Sequence, residues 1–413
     1  MVDLLREAQP PVVVPPVEQA SAGETTRRGF LGVAVTGVAT VAVGAAVAGD
    51  VFAASRGVFS SGSGPAYEPW QLWQRGSAPL RLVAAAILAA NAHNAQAWRF
   101  EVGPQRIDVI DDLSRTLGTV DAYRREVQIS AGCAIENIAL AAQALGLAAT
   151  VTAAPTSDRT LLARIDLAPT PPRVSSLYRA IPLRHTDRSA YHSGRRLPSG
   201  IIQGLDALVD RADIRLLWLL SPTERRAFSA LTVAATEAFI ADPEQVRDDS
   251  AWYRSTSSEI QMHRDGITPD AAGLSPLVRS IGKLLPATSA TNNAYWLSGT
   301  RDRQLPTASG FAIVLVRDAA DVAQRLGAGR LYQRMQLWAT TKGLAMQPLN
   351  QAVERAERER VTGRSGPIRT GLTRLVGDSA WQPVMPMRIG YPTTPAPASP
   401  RRALAAVITR GTS

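Results

Sequence analysis

The sequence predicts a protein of helices and strands in two related halves joined in tandem, behind a leader that takes no part in the fold. Three observations predict it. First, helix-like and strand-like stretches of ordinary length alternate after residue 70, and an apolar content of 45% over 413 residues allows a sizeable core. Second, one helix-plus-strand unit occurs twice. Asp121, Gly132, Glu136, Leu140, Ala142, Gly146 and Leu147 align with Asp318, Gly329, Gln333, Leu337, Ala339, Gly343 and Leu344 at a constant offset of 197 residues. Third, Phe311–Arg317 is a continuous apolar run, the pattern of a strand buried on both faces.

In chain order, 10–24 is rich in Pro and Val and lacks periodicity. Thr26-Arg27-Arg28-Gly29-Phe30-Leu31 opens an uncharged, weakly hydrophobic run to Gly49 and is similar to a twin-arginine export signal. That resemblance implies the export machinery as a partner, transport in the folded state, and an extracytoplasmic or cell-envelope location. The alternative is an uncleaved membrane anchor at 29–49, since about 20 apolar residues span a bilayer. The leader is therefore 1–54, and the Ser/Gly/Pro-rich 55–69 is a linker.

Pro79–Ala90 has helix-forming composition with Pro at its start. It runs into Asn91-Ala92-His93-Asn94-Ala95-Gln96, then the aromatic strand at Trp98–Phe100. Side-chain amides both donate and accept, which suits the edge of a heterocycle; an Asx-type turn is the plainer alternative. The repeat units follow as helix 126–145 with strand 149–153, and helix 321–342. Between them lie Arg184-His185-Thr186-Asp187-Arg188, helix 199–209 and strand 214–219. In an extended segment Arg184, Thr186 and Arg188 share a face and present two guanidiniums and a hydroxyl to one point. A phosphate or carboxylate fits this, although a solvated basic loop fits the same residues. Residues 242–300 read as an insertion with the look of a lid. Residues 347–360 read as a solvated helix of alternating charge.

The net charge of +10 is almost all arginine, with lysine only at 283 and 342. No basic run interleaved with aromatics marks a nucleic-acid surface, so the excess favours small anions by steering. Cys133 is the sole cysteine and the four histidines lack ligand spacing, which argues against a disulfide and against a metal site.

The stretch Ala89–Phe100 resembles the nitroreductase-family pattern A-P-S-x-x-N-x-Q-P-W-x-F through Asn94, Gln96, Trp98 and Phe100. Ala90, Asn91 and Ala97 stand where the pattern has Pro, Ser and Pro. Arg184–Arg188 resembles that family's phosphate-gripping segment. Met387-Arg388-Ile389-Gly390-Tyr391-Pro392 resembles its closing strand, and Pro400-Arg401-Arg402-Ala403-Leu404 its basic tail. The resemblance implies an α+β nitroreductase-like fold that binds FMN and takes electrons from NAD(P)H for a small-molecule acceptor. In ordinary members the arginine segment precedes the Asn/Gln segment and two subunits share each site. Here the order is reversed, so the halves 70–175 and 176–413 form a fused pseudo-dimer resembling the family's Acg branch, each half supplying one side of one site. The implied cofactor residues are Arg184, His185, Thr186 and Arg188, with Asn91, Asn94 and Gln96 from the other half and Arg401 and Arg402 from the tail. No residue is assigned to catalysis. A flavin-binding protein without turnover is the alternative.

Overall fold

The computed structural model describes residues 62–284, 288–364 and 366–409. The twin-arginine-like leader and most of the linker lie outside them. Helix α1 (Ala78–Ala86) leads into strand β1 (Trp98–Val102) and β2 (Arg106–Asp111). Helix α2 (Arg125–Ala144) follows, then β3 (Leu147–Ala153) and β4 (Leu161–Pro169). The second half begins with α3 (Ser199–Asp206) and β5 (Ile214–Leu219). It continues through α4 (Pro222–Ile240), α5 (Pro243–Ser250), α6 (Ser257–His263), α7 (Pro276–Leu284) and α8 (Ser289–Gly299) to β6 (Gly310–Val316). Helix α9 (Val322–Thr341), β7 (Ala345–Pro348), α10 (Gln351–Val361), α11 (Pro367–Val376), β8 (Gln382–Gly390) and β9 (Ile408–Thr409) complete it.

The two halves carry sheets of one topology. In the first the strand order is β1-β2-β4-β3, in the second β5-β6-β8-β7, and every one of these pairs is antiparallel. Even the register irregularity recurs, at Val109/Ile110 in one sheet and Val314/Leu315 in the other. The exception is β9, from the far C-terminus, which pairs in parallel with β1 and so ties the tail to the first half's sheet.

Between the sheets α2 packs on α9, and glycine makes the approach possible. A Cβ placed on Gly132 would lie 2.2 Å from the Leu326 carbonyl oxygen, and one on Gly329 would lie 2.0 Å from that of Ile129. Both pairs are related by the 197-residue offset, so the crossing is symmetric at the level of single atoms. Each helix also ends alike, at Gly146 and Gly343 with φ of +77° and +66°, the left-handed turn that glycine adopts without a Cβ penalty. Side chains complete the seam: Gln333 donates to Asn137 Oδ1 (2.9 Å) and Arg330 pairs with Glu136 (2.9 Å).

Several expectations need correction. The strand-to-strand excursion between β5 and β6 spans 220–309, not 242–300, because α4 belongs to it. Its start was marked in the sequence by Pro222 and by the Ser221–Glu224 capping box. Gln347 lies in β7 and the helix begins only at Gln351; a four-residue strand buried along most of its length shows no period of its own. Strands β2 and β4 and helix α11 were not anticipated.

Either Gly132→Ala or Gly329→Ala forces the two backbones apart. Each is expected to cost about 1–3 kcal/mol, read as a lower midpoint of urea unfolding, with similar losses at the two sites. An unchanged midpoint would show that the helices are not in contact there.

Candidate functional site

After α1 the chain makes a left-handed loop: His93, Asn94 and Gln96 have φ of +49°, +52° and +51°. Such backbone costs about 1–3 kcal/mol per residue and persists where its surroundings hold it. The amides do the holding. Asn91 Oδ1 accepts from Gln96 N (2.9 Å), Asn94 Nδ2 donates to Pro400 O (2.9 Å), and Gln96 Nε2 donates to Arg264 O (2.9 Å). Gln96 Oε1 also accepts from Arg402 N (2.8 Å). The Asn91 bond spans five residues, so it closes the whole loop and is not an Asx-turn.

Against this loop lies a narrow cavity of about 30 Å³, lined by Asn91, Asn94, Arg184, His185, Thr186, Arg188 and Arg401, with Trp70 beside them. The anion-binding residues expected from both halves and from the tail therefore meet at one point. Gln96 and Arg402 do not line it. Gln96 is fully buried among backbone groups, and Arg402 donates to Gln96 O (3.0 Å) and Ala406 O (2.7 Å), so both support the loop from behind. Nor is the arginine segment a strand. It follows a helical turn, Ile181–Leu183, and is held by Arg388, whose guanidinium donates to the carbonyls of Asp187 (3.1 Å), Ser189 (2.6 Å) and Gln304 (3.1 Å).

The electrostatics of this corner are one-sided. Arg184 and Arg401 are 2% and 3% exposed. Arg184 donates to Gln336 Oε1 (3.0 Å) and Leu88 O (2.9 Å), and Arg401 to Asn94 Oδ1 (2.6 Å) and Pro400 O (2.9 Å). None of Arg184, Arg188 and Arg401 is paired with a carboxylate among the described residues, and the Nε atoms of Arg184 and Arg401 have no partner. Burial lowers Arg184 to about 10; burial and then the nearby Arg184 hold Arg401 well below the usual arginine range. Burial, then Arg184 and Arg401, push His185 down to about 3. Trp70 lies among all three, its ring 4.6 Å from His185 and 4.7 Å from the Arg401 guanidinium carbon. It was missed because a single aromatic beside a linker carries no periodic signal. A buried unpaired cation costs several kcal/mol, and an anion in this cavity would offset that cost.

The narrow cavity shares Ala90, Asn91, Thr186, Arg188 and Ile267 with a larger one of about 210 Å³. Phe239, Tyr253, Tyr295 and Trp296, all from the 220–309 excursion, form aromatic walls; Glu126, Ser130 and Tyr332 come from α2 and α9. His93 Nε2 sits 2.8 Å from Asp249 Oδ1; burial opposes its protonation, but Asp249 outweighs burial and raises the imidazole. Cys133 also lines this cavity, yet its thiol donates to Gly329 O (3.2 Å) and burial pushes it up to about 12, so it is no nucleophile.

Fold and site together define an α+β protein that encloses a basic, carboxylate-free corner opening into an aromatic chamber. No protein-family model matches the chain. In sequence it is similar to a Mycobacterium tuberculosis protein (strain H37Rv) provisionally named NAD(P)H nitroreductase Rv3131, at 28% identity over 333 residues, 78% of this chain and 88% of that protein. The same figures hold for the counterpart in strain CDC 1551. The chain is thus a distant relative of proteins named as nitroreductases, over most of its length. A solved FMN-dependent nitroreductase, NfnB from Mycobacterium smegmatis in complex with NADPH, is 16% identical over 58% of this chain and 98% of its own, with a TM-score of 0.37. At that score no position is carried across.

Because folded His185 resists a proton that the unfolded chain accepts below its ordinary value of 6.5, folding stability falls as pH drops from 6.5 towards about 3. His185→Phe keeps a ring beside Trp70 and removes this contribution. Melting of the ligand-free variant between pH about 7 and about 4 is expected to show a smaller loss of Tm than the parent; parallel curves would place the titration elsewhere.

Proposed function

We propose that this chain is an FMN-binding oxidoreductase of the nitroreductase type, passing electrons from NAD(P)H to a small acceptor such as a quinone or nitroaromatic. The observation that carries the reading is the carboxylate-free cluster of Arg184, Arg188 and Arg401 at the end of an aromatic chamber. These guanidiniums, with Thr186 and the amides of Asn91 and Asn94, suit the FMN phosphate, because planar forks pair with phosphate oxygens bidentately. Bound there, FMN would supply the two-electron chemistry that no side chain provides. The protein's part is to neutralise the phosphate, to fix the ligand between loop 91–96 and the arginine segment, and to screen the chamber from water with the 220–309 excursion. Gln96 and Arg402 hold the loop in shape.

The symmetric α2–α9 crossing and the repeated sheet topology support a fused pseudo-dimer with one composite site, of the kind found in the Acg branch. The leader 1–54 supports export by the twin-arginine route, or anchorage through 29–49. One observation favours a second reading, a flavin-binding protein without turnover: four aromatic side chains of the excursion wall in the larger cavity and narrow the way in for an acceptor.

Purified protein distinguishes the two. A yellow solution that bleaches on anaerobic mixing with NADH or NADPH marks the enzyme, a yellow one that persists marks the binder, and a colourless protein that takes up no FMN overturns both. Arg184→Ala is expected to weaken FMN binding by about 2–5 kcal/mol, measured by flavin fluorescence quenching. Unchanged affinity would remove Arg184 from the site.

A further inference from the structure

The larger cavity is also lined by acids that the flavin reading leaves unused. Glu126 on α2 and Glu354 on α10 both line this cavity, and they are 3% and 7% exposed. Around them stand Asp121, which caps α2 by accepting from Glu126 N and Val127 N (3.0 Å each), Glu357 on α10, and Asp249 on α5 with His93. The cations close by are Arg125, fully buried, and Arg325 on α9. Arg125 bonds Glu126 (3.1 Å) and Glu357 (3.0 Å), while Arg325 spends its donors on Ala319 O, Tyr123 O and Gln128. Glu354 is in no ion pair among the described residues. Arg125, by bonding both Glu126 and Glu357, ties Glu126 to the turn of α10 that carries Glu354, and a buried carboxyl with no cation paired to it keeps its proton.

Burial, and then Glu126, hold Glu354 well above the usual carboxylate range, in keeping with that geometry. Burial and Glu126 likewise raise Asp121 to about 7. Two further side chains show that the chamber has room for a partner. Tyr332 is 0% exposed and Gln351 is 5% exposed; both line the cavity, and the Tyr332 hydroxyl and Gln351 Oε1 have no hydrogen-bond partner.

We propose that the Glu126–Glu354 pair is the proton donor to a neutral carbonyl acceptor, of the quinone class, bound in the larger cavity. The role rests on the oxidoreductase reading above. The balance is simple. The quinone gains two electrons and one proton as a hydride from reduced flavin, itself reduced by NAD(P)H. Its oxygen takes the second proton from the carboxyl O–H. That O–H bond breaks, the new one forms on the acceptor, and the pair, left doubly ionised, recovers its proton from water. Like-charge repulsion between Glu126 and Glu354 drives this recovery. The aromatic walls suit a flat ring.

Glu354→Gln keeps the shape but has no acidic proton; Glu126→Gln is the second variant should the first fold poorly. Two measurements decide. Infrared spectra of the protein at neutral pH are expected to show a buried protonated-carboxyl stretch that Glu354→Gln or Glu126→Gln lowers, leaving at most the share of Asp121. In turnover with NAD(P)H, the rate with a benzoquinone relative to that with ferricyanide, which takes electrons without a proton, is expected to fall on the order of 10²-fold in Glu354→Gln. The variant should also lose the decline in quinone rate that the parent shows as pH rises. Absence of the infrared band, or equal slowing with both acceptors, overturns the proposal. A parent protein that binds no FMN overturns the functional reading and the donor role with it, and the infrared band then reports on the carboxyl pair alone.

Discussion

Where α2 crosses α9, no side chain separates the two backbones, and that close approach governs what the rest of the chain can do. Gly132 and Gly329 allow it, each facing a carbonyl of the other helix at a distance that would admit no Cβ. Once the helices are this close, the polar side chains flanking the crossing have no route to solvent and must find partners inside. Gln333 accepts from Ala90 N (3.1 Å) and so fixes the end of the first helical segment; Gln336 accepts from Arg184 (3.0 Å) and so fixes the arginine segment. Both sides of the basic corner are therefore hung from one helix, α9. From the same crossing Glu126, Ile129 and Tyr332 reach into the larger cavity. A buried polar side chain leaves its partner unsatisfied when the geometry slips, which makes such a frame intolerant of small shifts.

The parts of this arrangement that could be read from the sequence were those with a local or periodic signature. The glycines and helix ends of the repeat appear in register at the predicted offset, and β5 spans Ile214–Leu219 as anticipated. The convergence of Asn91, Asn94, Arg184, Arg188 and Arg401 could be anticipated from the resemblance of their segments to one family's motifs, since the residue types alone also fit a solvated basic loop. Partners contributed from a distance could not. Trp70, Arg388 and Gln336 belong to the corner through contacts with segments 152 to 329 residues away in the chain, and no local pattern marks them. Gln96 and Arg402 show the converse. Their types suggested ligand contacts, yet the left-handed loop needed them first, since positive φ at three non-glycine residues persists only where side chains fix the backbone.

Charge is distributed along the cavities in a way that ordinary stability does not favour. Elsewhere arginines meet acids, as in Arg164 with Asp108 (3.0 Å) or Arg358 with Asp242 (2.8 Å). At the narrow cavity Arg184 and Arg401 are buried without a carboxylate partner, and at the larger cavity Glu354 is buried in no ion pair among the described residues. Bringing the two sets together would have satisfied both. Leaving them unpaired costs the fold several kcal/mol for each isolated charge, less where a carboxyl stays neutral. Side chains placed against their own stability are the ones whose partners arrive from outside. An anion at the arginines and a carbonyl at the carboxyl pair are the complementary groups, and the aromatic walls leave space for a flat ring system. On this reasoning the two sets belong to one reaction: the arginines retain the ligand that carries electrons, and the acids serve the molecule that receives them.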